Sequence, residues 1–338
     1  MKTKLPVILC ALSSIALVSC GQIKKYSPQD YVAGSLQYKE NFRILQLTDI
    51  HIGNKDHRDK QFDFLDLTIK DANADLIICT GDLFTYAEKR DAKALFDFLD
   101  GYNTPWTVTF GNHDEQCYFS IDWLTNELNN YGSNCIFKDL QDDDVFGNAN
   151  FVINLTDGGK VKQQLIVMDS NRYYFGDYFG YDYIKPNQIQ WYENMVNYTK
   201  ANNDGVTVPS LLFFHIPLPE FETAWEALEI GSPDAKKFDA ERWERNEGVA
   251  APKYNSHFFN KIVELNSTRG IFVGHDHINS WAIEYKNVLL CYGITSTDRI
   301  YRDVNIMGGQ VISMDSSNNI TLERYFHTYD ELGVTTWY

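Results

Sequence analysis

Five apolar runs in this 338-residue sequence each end in residues that can bind a metal or move a proton. Ile44–Leu47 runs into Thr48-Asp49-Ile50-His51, Leu76–Thr80 into Gly81-Asp82, and Thr107–Phe110 into Gly111-Asn112-His113-Asp114. Leu211–Phe214 runs into His215-Ile216-Pro217, and Ile271–Val273 into Gly274-His275-Asp276-His277. The donors are imidazole nitrogens and carboxylate or amide oxygens, a set suited to borderline divalent or trivalent cations. No Cys-x-x-Cys pair accompanies them, so a thiolate zinc site is not expected. Asp49 and His51 flank Ile50, and His275 and His277 flank Asp276, so extended backbone would turn each pair to one side. The glycines before Asp82, Asn112 and His275 permit a sharp turn and close backbone approach. A single Asp-x-His or Gly-Asp is an ordinary turn. Five such endings, holding five of the eight histidines, are a constellation.

For these residues to meet, the apolar runs must be strands whose carboxyl ends open on one crevice, the usual position of sites in α/β folds. Phe42–Leu47, Leu76–Thr80 and Trp106–Phe110 read as strands, with helices from near Asp59 and over Ala87–Leu99 between them. That βαβαβ opening predicts a largely parallel sheet with helices on its faces. Further strands are expected at Phe151–Leu155, Leu165–Met168, Leu211–Phe214, Ile271–Val273, Val288–Cys291, Val311–Met314 and Ile320–Arg324, the last few antiparallel. No internal repeat or Pro/Gly linker divides the chain, so one catalytic domain over 37–338 is the simplest organisation.

The order DIH, GD, GNHD, an isolated His before Pro, and GHDH resembles the calcineurin-like metallophosphoesterases over residues 40–280. The resemblance implies an α/β fold, a four-layer α/β/β/α sandwich of two mixed sheets flanked by helices. It also implies two metal ions (Mn, Fe or Zn, with Mg possible in the same site). Asp49, His51, Asp82 and His277 would hold one, and Asp82, Asn112, His215 and His275 the other, with Asp82 bridging. His113 matches the family's general acid. The chemistry agrees: two cations roughly 3.5–4 Å apart acidify a bridging water and clamp a phosphoryl group, and the resulting hydroxide attacks phosphorus in line. An imidazole suits protonation of the leaving oxygen. Asp114 either orients that imidazole or caps the turn, and the sequence leaves both open. The leading reading is hydrolysis of a small phosphate monoester. Phosphodiester or nucleotide pyrophosphate hydrolysis shares the same motifs. A surface binding protein on a dead phosphatase scaffold would be expected to have lost ligands, and none is missing.

Phe213 to Glu220, Glu247-Gly248-Val249 and Asn255 resemble the purple-acid-phosphatase-related branch, which includes plant and fungal phosphatases. That branch's purple members carry an iron-binding Tyr three residues after the bridging Asp. Here Thr85 stands there and Tyr86 lies one step out, so no ferric-tyrosinate centre is expected. Arg172 is a candidate phosphate clamp and Tyr173 a candidate substrate contact, with Arg299 and Arg302 weaker candidates. Tyr173 opens an aromatic stretch to Tyr183 that either packs on itself or overhangs the site to stack on a sugar or base. Residues 219–256 are expected to form a specificity cap.

The net charge of −16 repels nucleic acid, so no nucleic-acid partner is expected, and the composition sets no oligomeric state. Lys2 and Lys4 precede an apolar stretch, Leu5–Val18, too short to span a bilayer. Leu17-Val18-Ser19-Cys20 resembles the lipobox of bacterial lipoproteins. It implies a signal peptide over 1–20, lipid attachment at Cys20 and an exported, membrane-anchored protein; plain secretion is the alternative. Residues 21–36 read as a polar tether. Cys79 and Cys291 read as buried hydrophobes, whereas Cys117 and Cys135 are able to form a bridge in an oxidising compartment.

Overall fold

The computed structural model describes residues 25–53, 55–297 and 300–332, with side chains described outside 55–57. The expected signal peptide, Cys20 and Arg299 lie outside the described residues. In chain order come β1 (Val32–Gln37), β2 (Ile44–Leu47), α1 (Lys55–Ala72), β3 (Leu76–Thr80), α2 (Lys89–Asp100), β4 (Trp106–Thr109) and α3 (Ile121–Asn129). Then follow β5 (Phe151–Asp157), β6 (Lys160–Val167), β7 (Tyr173–Phe175), β8 (Phe179–Tyr181), α4 (Pro186–Ala201), β9 (Ser210–Phe213), α5 (Glu220–Glu229) and β10 (Ala235–Lys237). The last elements are α6 (Phe258–Leu265), β11 (Thr268–Val273), β12 (Ala282–Tyr285), β13 (Val288–Tyr292), β14 (Gly308–Met314) and β15 (Ile320–Phe326).

Two mixed sheets form. One has the order β15-β14-β2-β3-β4, and the other β1-β5-β6-β9-β11-β13-β12-β10. The βαβαβ opening holds: β2, β3 and β4 are parallel neighbours. The closing strands β14 and β15 are antiparallel, and β14 returns to pair antiparallel with β2. Strand residues alternate between two cores, as a sheet covered on both faces requires. Leu211, Phe213, Leu165 and Val167 face the core shared with the five-stranded sheet, α1 and α2. Leu212, Phe214, Ile166 and Met168 face the second core with α4, α5 and α6. The layers are therefore helix, sheet, sheet, helix.

Two expectations change. The segment read as a tether to Leu36 enters the fold earlier. Ser27 donates from its N–H and hydroxyl to Asp30 (2.7 and 2.8 Å), opening a turn that buries Tyr31 against Trp191. Val32–Gln37 then pairs parallel with β5 as the sheet's edge. Its mixed composition, without a sustained apolar run, hid this, because an edge strand is held by backbone bonds and needs few apolar side chains. The segment expected as a cap, 219–256, is also partly built into the layers. Its first half supplies α5 to the outer helical layer and β10, which pairs antiparallel with β12 and extends the sheet. Cys79 and Cys291 are buried, and all four described cysteines are free, so Cys117 and Cys135 are not joined.

Candidate metal centre

The donors stand just beyond β2, β3 and β4 of one sheet and beyond β9 and β11 of the other, where the two sheets' carboxyl ends face each other. The local backbone is not the extended segment expected from alternation. Asp49, His51, Asp82 and His275 all sit in the left-handed region, with φ of 53°, 52°, 48° and 78°. Such residues cost of order 1–3 kcal/mol each and persist where the surroundings over-determine them. Crowding shows that they do. A Cβ on Gly274 would lie 2.0 Å from Thr48 Oγ1, and one on Gly111 would lie 2.3 Å from Asp82 Oδ1.

Each carboxylate is anchored mainly through one oxygen and turns the other toward the imidazoles. Asp49 Oδ2 accepts from the Thr48 hydroxyl (2.8 Å) and the His275 N–H (3.0 Å). Its Oδ1 lies 3.2 Å from His277 Nε2 and 3.9 Å from His51 Nε2. Asp82 Oδ1 accepts from the His113 N–H (2.7 Å), while Oδ2 lies 3.1 Å from His215 Nε2 and 3.7 Å from His51 Nε2. Three imidazoles are oriented through Nδ1: His51 to Thr85 Oγ1 (2.6 Å), His215 to the Thr80 carbonyl (2.9 Å) and His277 to the Tyr301 carbonyl (3.0 Å). Fixing Nδ1 in this way directs Nε2 at the centre.

Asp49, His51, Asp82 and His277 thus gather one set of donor atoms within 4.8 Å of one another, and Asp82, His215 and His275 a second. Asp82 belongs to both. His51 Nε2, His275 Nε2 and Asn112 Oδ1 are buried without any hydrogen-bond partner. Orphaned buried acceptors are costly and rare, and cations are what this donor set would take. The residues fit a dinuclear metal site.

The charges lead to the same conclusion. Burial opposes ionisation of Asp49 and Asp82, yet His277 and His215 beside the first and His215 beside the second hold both well below the usual carboxylate range. Burial likewise opposes a charged His215, but Asp82 and Asp49 outweigh it and push its pKa to about 10. His277 is also raised: burial opposes and Asp49 prevails. At His51 and His275 burial prevails and pulls each down to about 3. In metal-stripped protein a proton on His215 therefore offsets carboxylate charge, and an incoming cation must displace it. Because His215 keeps its proton below about pH 10, apparent metal affinity should rise with pH, by up to about tenfold per unit for each proton displaced. Chelator competition at several pH values measures this, and a flat profile counts against the assignment.

His113 borders the donors, its ring 5.1 Å from that of His51. Asp114 does not touch its imidazole. Asp114 caps the turn, accepting from the Gly111 N–H (2.7 Å) and the Phe84 N–H (3.0 Å). The imidazole's partner is Gln116, whose Oε1 lies 2.8 Å from His113 Nδ1. Gln116, three residues on in the same turn, was within reach of sequence reasoning. Tyr173 is at the site, but its hydroxyl accepts from Asn112 Nδ2 (3.1 Å) and Gln116 Nε2 (3.2 Å). It thereby fixes the Asn112 amide with Oδ1 left free of any hydrogen bond and holds Gln116 with Oε1 on His113. Tyr173→Phe should weaken binding of one metal by about 10–100-fold, the usual cost of losing such an outer partner. Metal titration checks it, and unchanged affinity for both ions would remove this role.

Arg172 pairs with Glu115 on the wall of a neighbouring cavity of about 600 Å³, and Arg302 donates to the Ile300 carbonyl (3.2 Å). Thr85, at the tyrosinate position, holds His51, while the Tyr86 side chain is 62% exposed. Two aromatic rings flank the centre: Tyr181, from the aromatic stretch that the sequence offered as an overhang, and Tyr301, which it did not place. Tyr301 stacks on His277 at 4.4 Å, and Tyr181 meets His275 edge-on at 4.3 Å.

Two facing mixed sheets with a carboxylate shared between two groups of imidazoles define the metallophosphoesterase class. The chain belongs to the calcineurin-like phosphoesterase family, whose model matches residues 42–279. It is 28% identical to the probable inactive purple acid phosphatase 14 of Arabidopsis thaliana, over 86% of this chain and 80% of that protein. It is 29% identical to the probable inactive purple acid phosphatase 29 of the same plant, over 75% and 71%. The phosphatase DCR2 of Saccharomyces cerevisiae is 27% identical over 79% of this chain and 50% of its own length. In fold, a dimetal phosphatase from Danio rerio aligns with a TM-score of 0.52 at 13% identity, covering 81% of this chain and 93% of that one.

Proposed function

We propose that this protein hydrolyses phosphate monoesters at a dinuclear centre held by Asp49, His51, Asp82, Asn112, His215, His275 and His277, with His113 as general acid. The observation that carries the reading is Asp82, shared between a donor group with Asp49, His51 and His277 and another with His215 and His275, while His51 Nε2 and Asn112 Oδ1 are buried without a hydrogen-bond partner. Three relatives are named probable inactive, but this chain retains the whole donor set. When bound, the two cations would acidify a water and offset charge on the phosphoryl oxygens. The protein's part is to hold those cations and to supply a proton on the leaving side. Gln116 Oε1 accepts the Nδ1 proton of His113, leaving Nε2 as the position from which a proton passes to the departing oxygen. Metal-stripped protein reloaded with Mn, Fe, Zn or Mg, and assayed on a monoester, a diester and a nucleoside diphosphate, tests this. Monoester turnover should lead. Faster diester or pyrophosphate cleavage would transfer the assignment to those classes, and no turnover with any metal would leave a binding scaffold.

We also infer that residues 1–20 direct export and that Cys20 carries a lipid. The support is Leu17-Val18-Ser19-Cys20 itself; among the described residues no helix is long and apolar enough to cross a membrane. Cys20→Ser should release the protein from membranes or leave the precursor uncut. An unmodified mature N-terminus elsewhere, found by mass spectrometry, would reject the lipobox.

A further inference from the structure

We propose that the β7–β8 hairpin is a leaving-group subsite and that the favoured substrate carries a planar aromatic group, such as a nucleobase, beyond its leaving oxygen. The proposal rests on the phosphoester reading above.

The hairpin pairs Tyr173 with Tyr181 and Phe175 with Phe179. Alternation along each strand puts these four rings on one face and Tyr174 with Gly180 on the other. The second face is packed, with Tyr174 against Tyr178 and Tyr254 (4.9 and 5.5 Å between centroids). On the first face Tyr173 stacks on Phe179 (5.7 Å, 19°) and on Tyr181 (5.8 Å, 23°), and Phe175 lies 5.3 Å from Phe179. This ladder begins at the metal donors, where Tyr181 touches the His275 ring and the Tyr173 hydroxyl receives Asn112. It ends in solvent, with Phe175 76% and Phe179 71% exposed. Large apolar rings left in water at the mouth of a site mark a binding surface.

Direction follows from His113. Gln116 contacts both the His113 imidazole and the Tyr173 hydroxyl, so the proton donor and the ring face share a border. The group that His113 protonates leaves on that side and meets the exposed rings. A planar group gains most there, because offset stacking suits the ring ladder and a flat partner loses little freedom on binding.

Adenosine 5′-monophosphate and ribose 5-phosphate share the same primary leaving oxygen and differ in the base, so their kcat/KM ratio isolates the subsite. In metal-loaded protein the ratio should favour the nucleotide, and in the Phe175→Ala/Phe179→Ala double variant it should fall by roughly 10–100-fold, mainly through KM. Phe179→Trp should restore it. Both positions are exposed, so the fold should survive. A ratio unchanged by the double substitution overturns the proposal. So does loss of binding to anionic phospholipid vesicles with the ratio intact, which would make the tip a membrane contact. Adenosine titrated into metal-stripped protein gives a readout without turnover. If neither phosphate is hydrolysed, the phosphatase reading fails, while adenosine binding to wild type but not to the double variant still supports the subsite. Equal adenosine binding by both proteins rejects it.

Discussion

Replacing Asp82 with Ala should leave a folded protein that binds fewer than two metals and has lost at least about 10³-fold in kcat, since metal stabilisation of phosphoryl charge is worth several kcal/mol. The expectation comes from geometry. Asp82 is the one side chain common to both donor groups, and its Oδ2 lies 3.1 Å from His215 Nε2 and 3.7 Å from His51 Nε2. Removing it leaves Asp49, His51 and His277 on one side and Asn112, His215 and His275 on the other, each set short of an oxygen anion. A contrast is provided by His327, which pairs with Asp71 (3.4 Å) and Glu331 (3.0 Å) away from the centre. His327→Ala should change neither metal content nor rate. Elemental analysis showing equal metal in wild type and the Asp82 variant would overturn the two-metal assignment.

The second large effect belongs to His113. An alkyl phosphate has a poor leaving group that needs its proton in the transition state, whereas an activated aryl phosphate departs as a stable phenolate. His113→Ala should therefore lose roughly 10²–10⁴-fold on an alkyl ester and much less on the aryl one. Metal content should remain near that of wild type, because the His113 ring lies beside the donors without being one of the two clustered sets. Only its backbone N–H touches Asp82, and alanine keeps that bond. Equal losses on both esters would make His113 a phosphate-binding residue, and loss of a metal would make it a ligand.

Much of this was legible in local sequence. An apolar run followed by a donor is a short-range pattern, and the strands at Leu76–Thr80 and around Trp106 stand where the runs placed them. The helix before β3 begins at Lys55, earlier than Asp59, because its first turn is polar. Five strands, β1, β7, β8, β10 and β12, were not expected from the sequence. β1 mixes small, apolar and polar residues and is held at an edge, β7, β8 and β10 are three residues long each, and β12 is only four residues with Glu284 among them, cut off from β13 by Lys286-Asn287. The reading of Asp49-Ile50-His51 as extended reached the right convergence by the wrong backbone. Asp and His tolerate the left-handed region better than most residues but adopt it only where the surroundings require it, as in the crowded contact of Gly274 with Thr48 and Asp49.

By itself the sequence determined the donor types, their positions at strand ends and hence the metal chemistry, because a residue's donor atoms and its place after an apolar run are local properties. The tertiary structure alone decided which donors meet. It brought β2, β3 and β4 of one sheet against β9 and β11 of the other, so that Asp82 faces His215 across 133 residues. It also chose the partners that aim each ring, Thr85 for His51 and the Tyr301 carbonyl for His277, and set Gln116 rather than Asp114 on His113. Strand pairing and side-chain orientation depend on packing between distant segments, and no short-range pattern encodes which distant surface a residue will meet.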